Sequence, residues 1–291
     1  MSTPDAPSWP SPAKINLFLH ITGRRPDGYH LLQTAFQFLD FGDSLSFSLN
    51  NRGTLALTTP LTGVSNADNL VLRAAKALQQ LATQRGHPAL GASITLDKIL
   101  PMGGGLGGGS SNAATTLVAL NQLWQLHLST DELIKLGLTL GADVPVFIFG
   151  HAAWAEGVGE KLTPINPAEP WYLVINPGVA VATAEIFQAK ELTRDCPAIT
   201  IRALDSGDTN NVCEDIVCQR YPSVANALAW LRQQGEAAMS GTGASLFAPC
   251  SSRAEAEQRL AAVPAPWHGF VARGVNISPL QTCLMNQTSR L

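Results

Sequence analysis

Apolar and polar positions in the first half of the chain follow strand and helix periods in turn. The apolar run at 15–21 (INLFLHI) and the alternating segment 44–50 (SLSFSLN) are typical of strands. Apolar residues then recur every three or four positions over 70–81, which predicts an amphipathic helix. Residues 92–99 return to the strand pattern, and Pro101 ends that strand. The first half is therefore expected to mix strands and helices without strict alternation.

Capping residues mark the expected helix starts in this half. Helices are predicted over 70–81, 112–124 and 130–141. Asp68 is placed to cap the first of them, and Ser110 or Ser111 to cap the second. Ser129 and Glu132 have the spacing of a capping box at the start of the third.

The second half of the chain shows the same mixture beyond a candidate linker. Residues 163–170 hold three prolines, a composition typical of a connection between domains. Strands are predicted beyond it over 171–175, 245–248 and 270–275, and helices over 223–234 and 253–262. These patterns favour an α+β chain of two domains, residues 1–163 and 164–291, with a cleft between them.

The composition is that of a folded protein with a small negative charge. The 291 residues are 45% hydrophobic and 14% charged, and the net charge is −3. The longest basic run is Arg24-Arg25, so the chain lacks the cationic patch expected of proteins that bind nucleic acids or membrane surfaces. We therefore expect neither kind of partner. The acidic balance and the lack of interleaved aromatic and basic residues also argue against a non-catalytic nucleotide-binding or RNA-binding module.

Cysteine usage and the N-terminal residues favour a reducing compartment. The five cysteines are odd in number and form no CxxC pair, which is typical of reduced thiols. The first residues have neither the basic nor the apolar region of a signal peptide. Residues 99–130 lack charged side chains, but their glycine-rich middle does not match the roughly 20 apolar residues of a membrane span. A cytoplasmic protein is expected.

A glycine-rich tract at 101–112 (PMGGGLGGGSSN) stands directly before the helix predicted at 112–124. Six of the seven residues from 103 to 109 are glycines, each of which costs backbone entropy on folding. Such a loop can bring N–H groups close to a ligand, and the helix N-terminus adds about half a positive charge. Together these features favour a phosphate-binding loop. A flexible linker is the alternative, although linkers rarely separate a strand from an amphipathic helix.

The residues around the glycine tract argue against two known classes of phosphate-binding loop. The chain contains no Gly-Lys pair and so has no Walker motif. Gly103, Gly105 and Gly108 match a dinucleotide fingerprint literally, which keeps a nicotinamide-dependent oxidoreductase as an alternative. That match is weak, because Pro101 separates the strand from the glycines and the next acidic residue, Asp131, opens a helix.

Three motifs together resemble those of the GHMP kinases. They are the glycine tract at 101–114 (PMGGGLGGGSSNAA), the N-terminal segment 11–19 (SPAKINLFL) and the late glycine motif 240–244 (SGTGA). The similarity covers about residues 9–280. It implies a two-domain α+β GHMP kinase fold with the active site in the cleft, an ATP-binding and catalytic first domain and a substrate-side second domain. A monomer or a weak homodimer is expected.

The same resemblance implies roles for single residues. Lys14 and Asp143 match the catalytic pair, with Asp143 the candidate base that abstracts the proton of a substrate hydroxyl or only orients the group. Lys14 would stabilise the transferring phosphoryl group. Considered alone, Asp143 fits a helix cap equally well, and Lys14 fits the edge of a strand. ATP with Mg²⁺ is the implied cofactor, without assigned metal ligands. The implied ATP-binding residues are Pro101, Met102, Gly103, Gly104, Gly105, Leu106, Gly107, Gly108, Gly109, Ser110 and Ser111.

Further motifs are similar to those of family members that phosphorylate a small molecule, cytidine-diphosphate-linked methylerythritol. These motifs are 25–30 (RPDGYH), 141–145 (GADVP) and 156–160 (EGVGE). Tyr29 and His30 resemble a nucleobase clamp, and Phe187 resembles an aromatic residue that covers the cytosine. From the residues alone, His30 also fits the flank of a hairpin, and Phe187 a core position. The implied substrate-binding residues are Asn16, Tyr29, His30, Thr183, Phe187, Gly241, Thr242 and Gly243.

Overall fold

Two long antiparallel strands begin the fold. The structure is a computed structural model that describes residues 7–26, 28–204 and 210–288. β1 (Trp9–Arg24) and β2 (His30–Asn50) pair along most of their length. The other strands are β3 (Leu55–Leu57), β4 (Gly91–Asp97), β5 (Ala153–Gly157), β6 (Lys161–Pro164), β7 (Trp171–Asn176), β8 (Ala238–Met239), β9 (Leu246–Cys250) and β10 (His268–Val275). Each strand predicted from the hydrophobic pattern overlaps one of these.

The helices of the described residues are six to 16 residues long. They are α1 (Leu70–Gln84), α2 (Gly108–Leu123), α3 (Thr130–Leu138), α4 (Val144–Phe149), α5 (Thr183–Gln188), α6 (Glu214–Arg220), α7 (Pro222–Arg232), α8 (Arg253–Ala261) and α9 (Pro279–Thr288), with a 3-10 turn at Ile201–Leu204. Each helix predicted from the sequence overlaps one of these. Among the described residues, no helix is both long enough and apolar enough to cross a bilayer.

The sheet runs through both halves of the chain. Within the described residues its hydrogen-bonded order is β3-β4-β2-β10-β7-β9-β8, with β1 and β5 paired to β2 and β6 paired to β5. β10 forms the junction, because its residues Gly274 and Val275 pair with β2 and its residues 268–273 pair with all of β7. The α+β architecture expected from the sequence is confirmed.

The apolar cores also cross between the halves. The largest cluster packs α1, α2 and α4 on the first-half sheet, and Leu280 of α9 joins it from the end of the chain. A second cluster lies among the strands and helices of the second half, and it includes Leu19 and Ile21 of β1. β1 therefore links the two cores and carries side chains into the region between them.

Two of the predicted helix caps are wrong. Asn69, and not Asp68, caps α1 by accepting a hydrogen bond from the Val71 N–H, while Asp68 pairs with a neighbouring serine hydroxyl. Neither Ser110 nor Ser111 caps α2, because this helix begins at Gly108 and its N-cap is Gly107, which has no side chain to cap with. The first N–H groups of α2 therefore remain available to a ligand.

The capping box at the start of α3 is confirmed. The Ser129 hydroxyl accepts from the Glu132 N–H, and the Glu132 carboxylate accepts from the Ser129 N–H at 2.8 Å. Bonds from Arg85 and Ser129 lower the pKa of Glu132 to about 2. The helix ends at Leu138, three residues before the predicted end at 141. A tight connection then leads to α4, which the hydrophobic pattern did not predict.

Candidate active site

The structure brings together a lysine and an aspartate that lie far apart in the sequence. Lys14 Nζ is 3.3 Å from Asp143 Oδ2. The Lys14 side chain is only 4% exposed, whereas the Asp143 side chain is 37% exposed. The ammonium is therefore fixed inside the protein, and the carboxylate opens onto a cavity that both residues line.

Irregular strand pairing positions Lys14 and its neighbour Asn16. The register between β1 and β2 shifts between Pro12 and Lys14 and again between Asn16 and Phe18. Such irregularities bend a strand locally and re-aim its side chains. Lys14 and Asn16 are two positions apart and so point to the same face of the strand. The result is a pair of buried polar side chains on one face of the strand.

The Lys14 ammonium is held by several groups besides Asp143. It donates to Asn16 Oδ1 at 2.6 Å and to the Gly105 carbonyl at 3.2 Å. It also lies 5.3 Å from the centre of the Phe36 ring, within the range of a cation–π contact. Asn16 is fixed in turn, since its amide donates to Thr34 Oγ1 at 2.8 Å. Lys14 is thus a pre-placed cation.

Asp143 stands at the N-terminus of α4 without capping it. Its side chain makes no capping hydrogen bond, and Pro145 occupies the first turn of the helix. The sequence allowed either a cap or a functional carboxylate at this position, and the geometry removes the first alternative. The carboxylate is directed toward Lys14 instead.

The glycine tract forms a loop that ends directly in α2. Gly103, Gly105 and Gly107 have φ values of 65°, 74° and 71°, a region that favours glycine. A Cβ on Gly105 would lie 2.2 Å from the Ser240 carbonyl oxygen, and one on Gly107 would lie 2.8 Å from a Phe147 ring carbon. The protein's own packing therefore requires glycine here, in addition to any need for close approach by a ligand.

The late glycine motif is bonded to this loop. Ser240 Oγ donates to the Gly105 carbonyl at 2.9 Å, and the Ser245 N–H donates to the Gly104 carbonyl at 3.0 Å. A Cβ on Gly241 would lie 3.2 Å from Asn16 Oδ1, so this loop also lies close to Lys14 and Asn16. Both loops and the Lys14–Asp143 pair therefore form one connected site.

Most of the residues implied by the resemblance line one cavity of about 540 Å³. The α2 N-terminus opens into it at Gly108 and Gly109, which supplies backbone donors and a positive dipole end. Ser111 and Gly243 do not line it; Ser111 is fully buried behind the loop. The lining residues that the resemblance implied are Lys14, Asn16, the loop 101–109, Ser110, Asp143, Thr183, Phe187, Gly241 and Thr242.

A second cavity of about 410 Å³ adjoins the first and shares with it the lining residues Leu32, Ala142, Val158 and Phe187. Tyr29 and His30 line it as well. Asp27, in the same motif, lies outside the described residues.

Aromatic rings define the character of this second cavity. The His30 ring stacks on Phe187 with centroids 5.3 Å apart and planes 22° apart, while Tyr29 is 64% exposed. Burial and the charges of Arg194 and Arg24 lower the pKa of His30 below its usual value. The imidazole is therefore neutral at neutral pH.

Several residues of the site were missed by sequence reasoning. Phe36 faces the Lys14 ammonium, Ser240 joins the two glycine loops, and Arg194 bonds to His30. Within the described residues, no group of three or more His, Cys, Asp or Glu could hold a metal ion by itself. The site combines backbone donors, a buried cation and one carboxylate, a set suited to an anionic ligand and a proton acceptor.

The dinucleotide alternative does not fit this geometry. A Rossmann unit places its glycines between two parallel strands. Here β4, the strand before the loop, pairs antiparallel with β2, and its parallel partner β3 precedes it in the chain. Three helices follow the loop before the next strand, β5. The literal match at Gly103, Gly105 and Gly108 is therefore coincidental.

Comparison with family models places both halves of the chain in one family. The model for the GHMP kinases N terminal domain matches residues 69–151. The model for the GHMP kinases C terminal domain matches residues 179–269. The first match contains the glycine loop and Asp143, and the second contains the late glycine motif.

Solved structures agree with this assignment. A crystal structure of 4-(cytidine 5'-diphospho)-2C-methyl-D-erythritol kinase is 32% identical over 92% of this chain and 99% of its own, with a TM-score of 0.79. Mevalonate kinase from Methanococcus jannaschii (14% identity, 94% and 100% coverage, TM-score 0.64) and homoserine kinase from Cytophaga hutchinsonii (15%, 96% and 98%, 0.63) share the fold. The chain therefore belongs to the GHMP kinases, a family of small-molecule kinases that use ATP as phosphate donor.

Proposed function

We propose that the protein transfers the γ-phosphoryl group of ATP to the 2-hydroxyl of 4-diphosphocytidyl-2-C-methyl-D-erythritol, in the non-mevalonate pathway of isoprenoid precursor synthesis. One observation carries this proposal: the Lys14–Asp143 pair, at 3.3 Å, lies in a cavity walled by both glycine loops. The adjoining aromatic cavity and the 32% identity to a kinase of that name support the choice of acceptor.

The donor end of the reaction is assigned to the glycine loop. The uncapped N-terminus of α2 and the backbone of 103–109 offer N–H groups and a positive dipole end to the triphosphate. Mg²⁺ accompanies ATP and neutralises phosphate charge when bound. Since the described residues hold no ready metal cluster, phosphate oxygens and water would supply most ligands, joined by side-chain oxygens of the cavity such as the Ser110 hydroxyl.

The transfer step is assigned to Asp143 and Lys14. The substrate hydroxyl oxygen attacks the γ-phosphorus, its proton passes to the Asp143 carboxylate, and the bond to the β-phosphate oxygen breaks to release ADP. Lys14 stabilises the negative charge on the transferring group without having to move, because Asn16 and Gly105 already hold its ammonium.

The acceptor end is assigned to the second cavity. Tyr29, His30 and Phe187 offer aromatic surface for a nucleobase, and this surface adjoins the first cavity. Thr183 and Thr242, whose hydroxyls are 2.9 Å apart, stand between the two ends with Gly241. Asn16 would hold the polyol close to Asp143. The acceptor substrate would thus be bound through its nucleobase while its hydroxyl reaches the Asp143 carboxylate.

A coupled ADP-release assay with three acceptors tests the proposed function. We expect ATP-dependent turnover of the cytidyl methylerythritol and only background release with mevalonate or homoserine. Turnover of mevalonate or homoserine in place of the cytidyl substrate would contradict the proposal while leaving the family assignment intact.

Replacing Lys14 with Met is expected to lower kcat by about 10²-fold, the order measured when one pre-placed charge-stabilising donor is removed. Met keeps the length of the side chain but leaves the developing charge uncompensated. The Kd for ATP should change much less, because the loop binds the nucleotide. Lys135→Met, at an exposed position of α3, is the matched control. A Lys14→Met enzyme with the kcat of the wild type would remove Lys14 from the mechanism.

Replacing both Tyr29 and His30 with Ala is expected to raise the KM for the cytidyl substrate by about 10-fold or more, since base stacking is worth roughly 1–3 kcal/mol. The KM for ATP should stay near that of the wild type, because neither residue lines the first cavity. Steady-state kinetics with each substrate varied in turn measures both constants. Equal increases in the two KM values would argue against a nucleobase site.

A further inference from the structure

Arg194 holds both members of the His30–Phe187 stack. Its Nε–H donates to His30 Nε2 at 3.1 Å, and its Nη2 donates to the Phe187 carbonyl at 3.0 Å. The same guanidinium also donates to the carbonyls of Leu192 and Ala189. One half-buried side chain therefore connects the ring of His30 to the backbone of the residue on which that ring stacks.

The position of Arg194 follows from the short helix before it. α5 ends at Gln188, and the last carbonyls of a helix lack partners within it. A guanidinium is a planar group with five N–H donors, so it can satisfy several carbonyls and still direct one donor elsewhere. Here that remaining donor is Nε–H, and it is directed at an imidazole nitrogen.

This hydrogen bond determines which imidazole nitrogen carries the proton. A guanidinium only donates, so His30 Nε2 must act as the acceptor and cannot carry a hydrogen. His30 is then neutral, with its proton on Nδ1. Among the described residues, burial and the positive charges of Arg194 and Arg24 lower the pKa of His30. The hydrogen-bond geometry and the neighbouring positive charges therefore both indicate a neutral His30 ring.

We propose that Arg194 is a positioning residue that fixes His30 as the neutral Nδ1–H tautomer stacked on Phe187, so that His30 offers a hydrogen-bond donor to an acceptor on the substrate's base. The claim that the hydrogen-bond acceptor belongs to a nucleobase rests on the proposed function. The assignment of the His30 tautomer does not. A cytosine ring has acceptors at its carbonyl oxygen and unprotonated ring nitrogen, which an Nδ1–H donor would suit. The other tautomer, or the imidazolium, would lose the bond to Arg194 Nε–H.

The tautomer is measured directly in the substrate-free protein. With ¹⁵N-histidine labelling, two-bond ¹H–¹⁵N correlations distinguish the tautomers, and the His30→Gln variant assigns the His30 signals. We expect the Nδ1–H form in the wild type, with a pKa below about 6.5. Arg194→Met should populate both tautomers and raise the pKa toward about 6.5. Wild-type signals of the Nε2–H form, or an Arg194→Met spectrum like that of the wild type, would overturn the proposal.

The Arg220→Met variant tests whether the effect on the His30 tautomer is specific to Arg194 or follows from weakening the segment around α5 in general. Arg220 donates to the Glu185 carbonyl of α5 and pairs with Glu191, but it bonds to neither His30 nor Phe187 in the described interactions. Its replacement should leave the tautomer and the pKa of His30 as in the wild type. If Arg220→Met shifted the tautomer as much as Arg194→Met, the effect would come from the segment and not from Arg194.

Kinetics then connects the tautomer to substrate binding. Arg194→Met should raise the KM for the cytidyl substrate by about 10-fold, with the KM for ATP within about twofold of the wild type. The KM defect should shrink as the pH falls through the raised pKa of His30, because both nitrogens of the imidazolium carry a proton and the Nδ1–H donor is then present in every ring. An unchanged KM in an active enzyme would overturn the positioning role. Absence of wild-type activity on the cytidyl substrate would instead overturn the proposed function and leave the tautomer result standing.

Discussion

Asp143→Asn is expected to lower kcat by about 10²- to 10⁴-fold, the range contributed by a positioned general base. Asparagine has nearly the same volume, so the cavity and the start of α4 should persist. It cannot take a proton from the substrate hydroxyl, and it offers Lys14 a neutral partner in place of a charged one. ATP affinity should be retained, because the glycine loop and α2 are untouched. The measurements are kcat by ADP release and the Kd for ATP by calorimetry.

Asp131→Asn provides the control for this variant, since Asp131 is an exposed residue in the first turn of α3. Its kcat should match that of the wild type. Near-normal turnover in Asp143→Asn would show that the carboxylate is not needed as a base. A fall in ATP affinity as large as the fall in kcat would place Asp143 in nucleotide binding instead.

Gly105→Ala is expected to abolish measurable ATP binding. It should also lower the free energy of unfolding by about 3 kcal/mol or more, a loss typical of substitutions that cause backbone strain or a steric clash. The new Cβ would lie 2.2 Å from the Ser240 carbonyl oxygen and 2.9 Å from that of Gly243, and both are backbone atoms. The φ of 74° adds strain for any residue with a Cβ. The loop would have to separate from the late glycine motif. Thermal or denaturant unfolding measures the stability, and calorimetry the binding.

The matched control is Gly23→Ala on β1. A Cβ there would meet only a Leu31 methyl carbon at 3.5 Å, an ordinary contact, and its φ lies outside the left-handed region. Its unfolding free energy should stay within about 1 kcal/mol of the wild type. If Gly105→Ala were as stable as Gly23→Ala and still bound ATP, the two loops would not depend on each other as the contacts imply.

Local patterns predicted the regular elements of this protein well, because their causes are local. The alternation at 44–50 and the helical spacing at 70–81 each follow from burial of one face. The capping box at Ser129 and Glu132 depends on two residues three positions apart. The sequence did not predict α4, α5, α6 or α9. In α4 and α5, six residues are too few to show a helical period, and α4 also contains a proline.

Site residues that lie in recognisable motifs were predictable from the sequence. Residues that reach the site through long-range contacts were not. Lys14 and Asp143 were placed side by side by resemblance, since no periodic pattern relates them. The serine cap of α2 was wrong because the loop backbone itself winds into the helix at Gly107. Ser240 lies in the motif 240–244, but its bond to the Gly105 carbonyl is long-range, as is that of Arg194 to His30, and such bonds leave no local pattern. The domain boundary at 163 and the roles of the site residues stay predictions.

The double pairing of β10 limits how this enzyme can admit and release its ligands. A hinge rotation of one half would break the hydrogen bonds of Gly274 and Val275 and pull Leu19 and Ile21 out of the second core. We therefore expect ligand access to depend on small movements of segments that line the first cavity, such as the one that carries the exposed Met102. Because the sheet is continuous, we expect the late glycine motif of the second half to stay beside the glycine loop of the first half from one turnover to the next.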